Sequence, residues 1–151
     1  MKKLFFIGLA TLAMGAATLT SCSKYEEGPS FTLSSKKSRV VGHWTLSSRT
    51  SSGVSTLVPG YSEVLHIEKD GSFKDTAYIS YQGFNYSAPI DGTWAFSDDK
   101  LQLLLNSNTA VSSSNFSSGE NALEIIKLSK NELKLQRTSG SSVTISIYTA
   151  Q

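Results

Sequence analysis

The chain has 151 residues, 39% of them hydrophobic and 17% charged, and its formal net charge is +2. Two of its 14 basic residues, Lys2 and Lys3, lie at the N-terminus, so the chain after residue 21 carries 12 basic and 12 acidic side chains. A neutral chain without a Lys/Arg cluster lacks the electrostatic footprint of a nucleic-acid-binding protein, which excludes that class. The 130 residues after position 21 are enough for one domain with one core.

The first 21 residues have the organisation of a secretory signal. Lys2 and Lys3 precede an apolar run over residues 4–19, which is shorter than the ~20 residues of a membrane-spanning helix. This order indicates a signal peptide over residues 1–21. Cys22 follows it and is the only cysteine, so one chain can form neither a disulfide nor a cysteine-ligated zinc site.

Two kinds of sequence follow Cys22. Residues 22–37 are polar, contain Gly28-Pro29 and show no sustained periodicity, which predicts a flexible tether. From Val40 onward, apolar residues recur at every second position in short runs separated by turn residues. This alternation predicts an all-β domain over residues 38–151.

The runs predict about eight strands, each with one apolar face. We assign the inward faces to Gly42, Trp44 and Leu46; Leu65 and Ile67; Ile90, Gly92, Trp94 and Phe96; Leu101, Leu103 and Leu105; Ile126 and Leu128; Leu133 and Leu135; and Val143, Ile145 and Ile147. In the sixth run Leu123 and Ile125 leave the register ambiguous.

Strands in simple succession can hide their edges by closing into an up-and-down antiparallel barrel, with a two-sheet sandwich as the alternative. Connection lengths favour the barrel. The predicted tight connections are Asp70-Gly71, 97–99 and 129–131, and the predicted long ones are 48–60, 82–89 and 107–119. Alternate connections of a meander lie at opposite ends, so the long ones should gather at one mouth and the tight ones should form a floor.

The residues around the cleavage point resemble a known anchoring signal. Leu19-Thr20-Ser21-Cys22 resembles the lipobox of bacterial lipoproteins, in which cleavage precedes a cysteine that is then acylated, for example with palmitate. The resemblance implies an outer-membrane lipoprotein held at Cys22. Residues 23–27 also resemble the short signal that sends some lipoproteins of the Bacteroides phylum to the cell surface; a solvated charged linker is the alternative.

The domain itself resembles lipocalin-like lipoprotein domains of the Bacteroides phylum. The matching motifs are Gly42-His43-Trp44, Asp70-Gly71-Ser72-Phe73, Gly92-Thr93-Trp94 and the closing Ile126, Leu128, Leu133 and Leu135. The resemblance implies a lipocalin-like barrel, with Gly42 and Trp44 in structural roles. One departure is that residues 146–151 lack the basic residue that in lipocalins packs over the first-strand tryptophan.

The functional hypothesis is a noncatalytic monomer that binds a small apolar or amphipathic ligand. The alternative is a filled barrel that contacts another outer-membrane protein, since a barrel of about eight strands either fills with side chains or holds one small ligand. Candidate ligand-binding residues are Arg137, Glu63, Glu124, Trp94 and Tyr81. Arg137 shares the inward parity of Leu133 and Leu135, so it should enter the mouth, where Glu63 or Glu124 pairs with it or an anionic head group does.

Other chemistry has little support in the sequence. His43 and His66 lie on the polar faces of the first two predicted strands, and two imidazoles without a third ligand do not form a zinc site. No G-x-S-x-G motif supports a serine nucleophile. We therefore expect no metal, no cofactor and no enzymatic activity. Asp75-Thr76-Ala77 resembles a bacterial O-glycosylation sequon, with an ordinary strand as the alternative.

Overall fold

The structure is a computed structural model that describes residues 25–28, 33–108 and 119–151. Cys22, the signal peptide and the first two residues of the predicted sorting signal, 23 and 24, lie outside these residues. Within the described part of the chain, no helix has the length and apolar character needed to cross a membrane.

One short helix and nine strands make up the described chain. They are α1 Lys36–Val40, β1 Gly42–Ser51, β2 Val54–Ser55, β3 Tyr61–Ile67, β4 Ser72–Tyr81, β5 Phe84–Phe96, β6 Gln102–Ser107, β7 Gly119–Leu128, β8 Glu132–Ser139 and β9 Ser142–Ala150. All strand pairs are antiparallel.

The strands form a closed barrel. Neighbours in sequence pair with each other from β3 to β9, β3 pairs with β1, and β9 pairs back with β1 to close the sheet. The two-residue β2 pairs only with the end of β1 and is an extra strand outside the eight-stranded wall. The predicted all-β up-and-down barrel is confirmed.

The two ends of the barrel differ. At one end, here called the floor, the chain turns through the short connections 68–71, 97–101 and 129–131. The helix α1 lies at this end, where Lys36 donates to the Lys100 carbonyl and Arg39 donates to the Leu128 carbonyl. At the other end, the mouth, the chain turns at residues 82–83 and 140–141 and passes through residues 52–60. Aliphatic and aromatic side chains fill the floor half, and those that are at most 2% exposed include Trp44, Leu65, Ile67, Phe73, Ile90, Leu103, Leu105, Leu128 and Leu133.

Both tryptophans of the G-x-W motifs plug this floor half. The Trp44 indole donates to the carbonyl of Val40 at 2.8 Å, and the Trp94 indole donates to the carbonyl of Glu68 at 2.7 Å. Gly92 is required by close packing, because a Cβ there would lie 2.0 Å from the Asn106 carbonyl oxygen. The structural role predicted for Trp44 agrees with these contacts.

Two strands carry irregularities that alternation does not reveal. In β1 the pairing with β9 shifts between Leu46 and Ser48, and beyond this point the odd-numbered Arg49 is buried. In β7 the pairing with β8 shifts between Ile125 and Lys127. A bulge adds one residue to one strand and thereby reverses the inward parity after it. The ambiguity in the sixth predicted run is therefore real, because Ile125 and Ile126 are both buried.

The inward face assigned to the last strand is wrong. In β9 the buried side chains are Ser146 and Tyr148, whereas Val143, Ile145 and Ile147 are only half-buried on the outer side. The more apolar set of side chains faces outward because the inner set forms a polar cluster, described below.

The predicted long connection over residues 82–89 is also wrong. β4 continues to Tyr81, a turn with positive φ at Gln82 and Gly83 follows, and β5 begins at Phe84. Two central residues with positive φ are characteristic of the type I′ hairpin turn. Pro89 lies in β5 where only β4 pairs with the strand, so its missing N–H costs no bond of the sheet.

Part of the segment predicted to be a flexible tether packs on the floor, which corrects that prediction. Tyr25 is 3% exposed and its hydroxyl donates to the Lys100 carbonyl at 3.0 Å. The backbone N–H of Glu27 donates to the carbonyl of Ile126, and its carboxylate pairs with Lys134 at 2.6 Å. Burial raises the pKa of Tyr25 to about 12, despite the opposing effect of Arg39.

Candidate functional site at the mouth of the barrel

Six polar side chains meet inside the barrel on the mouth side of the filled half. The mouth cluster consists of Arg49, Tyr61, Glu63, Asp75, Ser146 and Tyr148. Five of them are buried and Tyr61 is half-buried. They come from β1, β3, β4 and β9, which are neighbours in the closed sheet.

An ion pair lies at the centre of the mouth cluster. The Arg49 Nη2 donates to Glu63 Oε1 at 2.7 Å, and the two side chains are 8% and 1% exposed. Arg49 also donates from Nε to Ser146 Oγ at 3.1 Å. Burial alone would lower the pKa of Arg49, but the hydrogen bond to Glu63 and the charges around it raise that pKa above its ordinary value. Arg49 therefore carries its charge at every physiological pH.

Two tyrosines complete the hydrogen bonding of the Glu63 carboxylate. The Tyr148 hydroxyl donates to Oε1 at 2.7 Å, and the Tyr61 hydroxyl donates to Oε2. Burial, together with the hydrogen bond to Glu63, raises the pKa of Tyr61 to about 12, and burial raises the pKa of Tyr148 well above its ordinary value. Both phenols are therefore neutral hydrogen-bond donors, and both carboxylate oxygens of Glu63 have hydrogen-bond partners within the protein.

Asp75 differs from Glu63 in its hydrogen bonding within the described part of the chain. It is 1% exposed, and its Oδ1 has no hydrogen-bond partner among the described residues. Burial first, and the neighbouring Glu63 second, raise the pKa of Asp75 to about 8. At neutral pH the side chain is therefore mainly a carboxylic acid, and with Arg49 and Glu63 compensating each other the mouth cluster carries almost no net charge.

An apolar surface rises above the mouth cluster where the β4–β5 hairpin leaves the barrel. Along the inner face of β4, exposure increases from 2% at Ala77 to 36% at Ile79 and 66% at Tyr81. On β5, Tyr86 lies opposite Ile79, and Phe84 lies opposite Tyr81. We call Ile79, Tyr81, Phe84 and Tyr86 the hairpin wall. It continues the inner surface of the barrel outward, beyond the point where other strands cover it.

The ion pairs expected for Arg137 are not formed. Glu63 faces inward as predicted, but its partner is Arg49. Glu124 is exposed and accepts a hydrogen bond from Gln136 at 3.1 Å. It faces outward because the β7 bulge lies between it and Leu128, so the two residues no longer point to the same side of the sheet. Arg137 is half-buried and forms no hydrogen bond or ion pair with any described residue.

The two aromatic candidates lie at opposite ends of the barrel. Trp94 is in the floor half, where it packs edge-to-face on Phe96 at 5.6 Å and lies under Lys37, so it is away from the mouth. Tyr81 is in the hairpin wall. Gly42 begins β1, and Cys22 lies outside the described residues.

Sequence reasoning missed five of the six members of the mouth cluster, namely Arg49, Tyr61, Asp75, Ser146 and Tyr148. Asp75 offered a usable signal, because a carboxyl at an inward position between Phe73 and Ala77 has to be buried. Arg49 offered none, since the strand parity set by Trp44 and Leu46 places it outside.

The described strands form a small closed up-and-down β-barrel with a filled floor and an open, partly apolar mouth, an architecture that can enclose a ligand cavity. The sequence profile of the lipocalin-like domain family matches residues 40–135, and the chain belongs to that family. No curated protein sequence gives a significant match.

Solved structures support the same fold. One of 34 matching chains is the crystal structure of a lipocalin-like protein from Bacteroides uniformis ATCC 8492. It is 18% identical, the match covers 75% of this chain and 99% of that one, and the TM-score is 0.52. At this identity the likeness supports the fold alone.

Proposed function

We propose that the protein is a noncatalytic lipoprotein of the cell envelope that binds a small amphipathic ligand at the mouth of its barrel. The main support for this proposal is the exposed apolar surface of the hairpin wall. Phe84 and Tyr86 are 65% and 64% exposed on a face that continues the barrel interior. Contiguous exposed apolar surface of this kind marks a binding site for a ligand or a partner.

The filled floor half restricts where a ligand can bind. Trp44, Phe73 and Leu105 occupy the centre of that half and are at most 2% exposed. A ligand therefore has to lie above the mouth cluster, with its apolar part on the hairpin wall. The filled floor also supports the alternative, in which the same wall contacts another outer-membrane protein.

The charges at the mouth favour an acidic head group. Arg49 is neutralised by Glu63, and Asp75 is mainly protonated at neutral pH, so neither carboxyl contributes an uncompensated negative charge. Arg137 follows Leu133 and Leu135 on the inner face of β8 toward the mouth and has no partner among the described residues. A guanidinium in this position can bind a carboxylate or a phosphate by donating two parallel hydrogen bonds to it.

The anchor is the second part of the proposal. The lipobox-like Leu19-Thr20-Ser21-Cys22 supports acylation at Cys22 and attachment to the outer membrane. Metabolic labelling with an alkyne-bearing fatty acid should mark the wild-type protein and leave Cys22→Ala unlabelled. Equal labelling of both proteins would refute this part without affecting the ligand site.

Two fluorescent probes with the same tail test the ligand site. Dansyl-labelled undecanoic acid should bind with a rise in emission, and the corresponding undecylamine should bind roughly 10-fold more weakly, as one charge-assisted hydrogen bond predicts. Arg137→Met should remove this difference, whereas Phe84→Ser should weaken both probes.

A matched control separates the mouth from nonspecific binding. Lys127 is a cation on the outer side of β7 that pairs with Glu132, and Lys127→Met should change neither affinity. If neither probe binds the wild type, the ligand proposal fails and the filled barrel acting as a protein-interaction module is favoured.

A further inference from the structure

A group of three potential metal ligands lies on the outer wall of the barrel, at the floor end and away from the mouth. His43 of β1 and His66 of β3 are directly opposite each other in the sheet. Glu68 follows one residue after β3, at the outward parity of His66. All three offer a ligand atom, and these atoms lie within 4.8 Å of one another.

The sheet holds the two histidines in register. Cross-strand pairing places their imidazoles in a parallel stack with ring centroids 4.1 Å apart and an interplanar angle of 9°. The Nε2 of His43 is 3.8 Å from Glu68 Oε1. The Glu68 backbone is fixed as well, because its N–H donates to Ser72 and its carbonyl accepts from Trp94. The three ligands are thus carried on rigid backbone, while their side chains can turn.

The donor set fits divalent first-row transition-metal ions, zinc among them. Two imidazoles and one carboxylate occur in zinc sites that keep a fourth position open. Ligand atoms around tetrahedral zinc are roughly 3.4 Å apart, as its bond lengths of about 2.0–2.2 Å require. Closing from 4.8 Å to that separation requires rotation of two exposed side chains, His43 and Glu68, and of the half-buried His66, with no movement of the strands.

We propose that His43, His66 and Glu68 form a zinc-binding site on the outer wall of the barrel. Two of the three ligands, His66 and Glu68, also line a surface cleft of about 420 Å³ together with Lys74, Asp91 and Asn108, and a fourth ligand could reach the ion from this cleft. Water or an exogenous anion can occupy the fourth position. Bound zinc would cross-link the outer faces of β1 and β3. These two strands are connected at the mouth by the long segment 52–60.

The competing interpretation is that these are three solvated polar side chains on the outer face of a sheet. The two interpretations differ in stoichiometry and in ligand dependence. Calorimetric titration of the full-length chain, made without a histidine tag, with ZnCl₂ should give one site per chain. His43→Ala, His66→Ala and Glu68→Gln should each weaken binding roughly 10-fold or more, because each removes one of three ligands.

Glu124→Gln is the matched control for Glu68→Gln. Glu124 is likewise an exposed carboxylate on the outer face of the barrel, and its replacement should leave zinc affinity unchanged. Cobalt supplies a second readout, since a tetrahedral site gives visible d–d absorption that His66→Ala should abolish. All four variants should retain the wild-type far-UV circular dichroism, because the replaced side chains are outside the core.

Zinc should also raise the melting temperature in proportion to the logarithm of its concentration above the dissociation constant, as expected for a ligand that binds only the folded state. The rise should be lost in the three ligand variants and kept in Glu124→Gln. Zinc binding with unchanged affinity in His43→Ala and His66→Ala would overturn the proposal. A stoichiometry of one zinc per two chains with a dimer in size-exclusion chromatography would overturn it as well, because the ion would then bridge molecules.

Discussion

The floor half and the mouth half of this barrel are built from the same strands but are stabilised by different interactions. In the floor half, inward side chains such as Leu65, Phe73 and Leu105 are apolar and at most 2% exposed. Toward the mouth, β3 and β4 present Glu63 and Asp75 to the interior instead, and Tyr148 of β9 donates to the Glu63 carboxylate. The difference indicates that burial of apolar area supplies the stability of the domain, whereas the mouth half uses costly polar groups at positions that a purely structural barrel would fill with leucine.

The largest expected effect is the loss of one partner of the mouth ion pair. Arg49→Met should lower the free energy of unfolding by about 3–5 kcal/mol, because it leaves the Glu63 charge buried without a counter-ion. Urea denaturation followed by circular dichroism measures this. The double variant Arg49→Met/Glu63→Gln should recover a large part of the loss, since no buried charge remains. No recovery would mean that packing, not charge, controls this position.

A cavity in the floor half is expected to cost slightly less. Leu65→Ala should destabilise the protein by about 2–5 kcal/mol, as is usual for truncation of a fully buried leucine. Val64→Ala, at the neighbouring half-buried position on the outer face of β3, should cost less than about 1.5 kcal/mol by the same measurement. Equal losses for both variants would contradict the inward assignment of Leu65.

Asp75 should make stability depend on pH. Its pKa rises from 3.8 to about 8 on folding, so between these values the folded state holds a proton that the unfolded state has released. This contribution is complete below about pH 4 and is lost as the pH rises toward 8.

Asp75→Asn should therefore flatten the decline and stabilise the protein at pH 8, relative to wild type, by on the order of 1–3 kcal/mol. Asp91→Asn is the control, because Asp91 is an exposed carboxyl on the outer face of β5. If Asp91→Asn flattened the profile equally, Asp75 would not be the titrating group.

The smallest effect on stability is expected at the hairpin wall. Tyr86→Ser should change the free energy of unfolding by no more than about 0.5 kcal/mol, since the side chain is mostly exposed. The same substitution should nevertheless weaken binding of dansyl-labelled undecanoic acid. A loss of stability as large as that of Leu65→Ala would show that the wall is covered in the folded protein and is not a free surface.

Alternation of apolar residues predicted the barrel and the inward faces of β1, β3, β5, β6 and β8. It succeeded there because every second side chain of a strand points inward, and in the filled floor half these inward side chains are apolar. It failed where the mouth departs from that rule. The β1 bulge turns Arg49 inward, and Tyr148 reaches Glu63 from the less apolar face of β9. Neither feature has a sequence signal, because a bulge depends on how two strands pair.

The β4–β5 hairpin was missed for a different reason. Its turn has positive φ at Gln82, where Asn or Asp is the usual sequence signal. With the turn unrecognised, residues 84–89 were assigned to a connection and the hairpin wall could not be foreseen. Of the candidate site, only Glu63, Arg137 and Tyr81 were therefore placed at the mouth by sequence, and the mouth cluster around them depended on the structure.

The docking of Tyr25 on the floor would also orient the domain relative to a membrane if Cys22 is acylated as proposed. Tyr25 is three Cα-to-Cα steps along the chain from Cys22, and an extended chain covers at most about 3.6 Å per step. An acyl group on Cys22 would thus hold the floor within roughly 11 Å of the lipid surface. A quencher carried by the lipids should then leave a probe on the hairpin wall bright, and Tyr25→Ala should make that probe more accessible to it. If Cys22 is acylated as proposed, the floor would face the bilayer and the mouth would open toward the aqueous side, so the protein would collect its ligand from solution rather than extract it from the membrane.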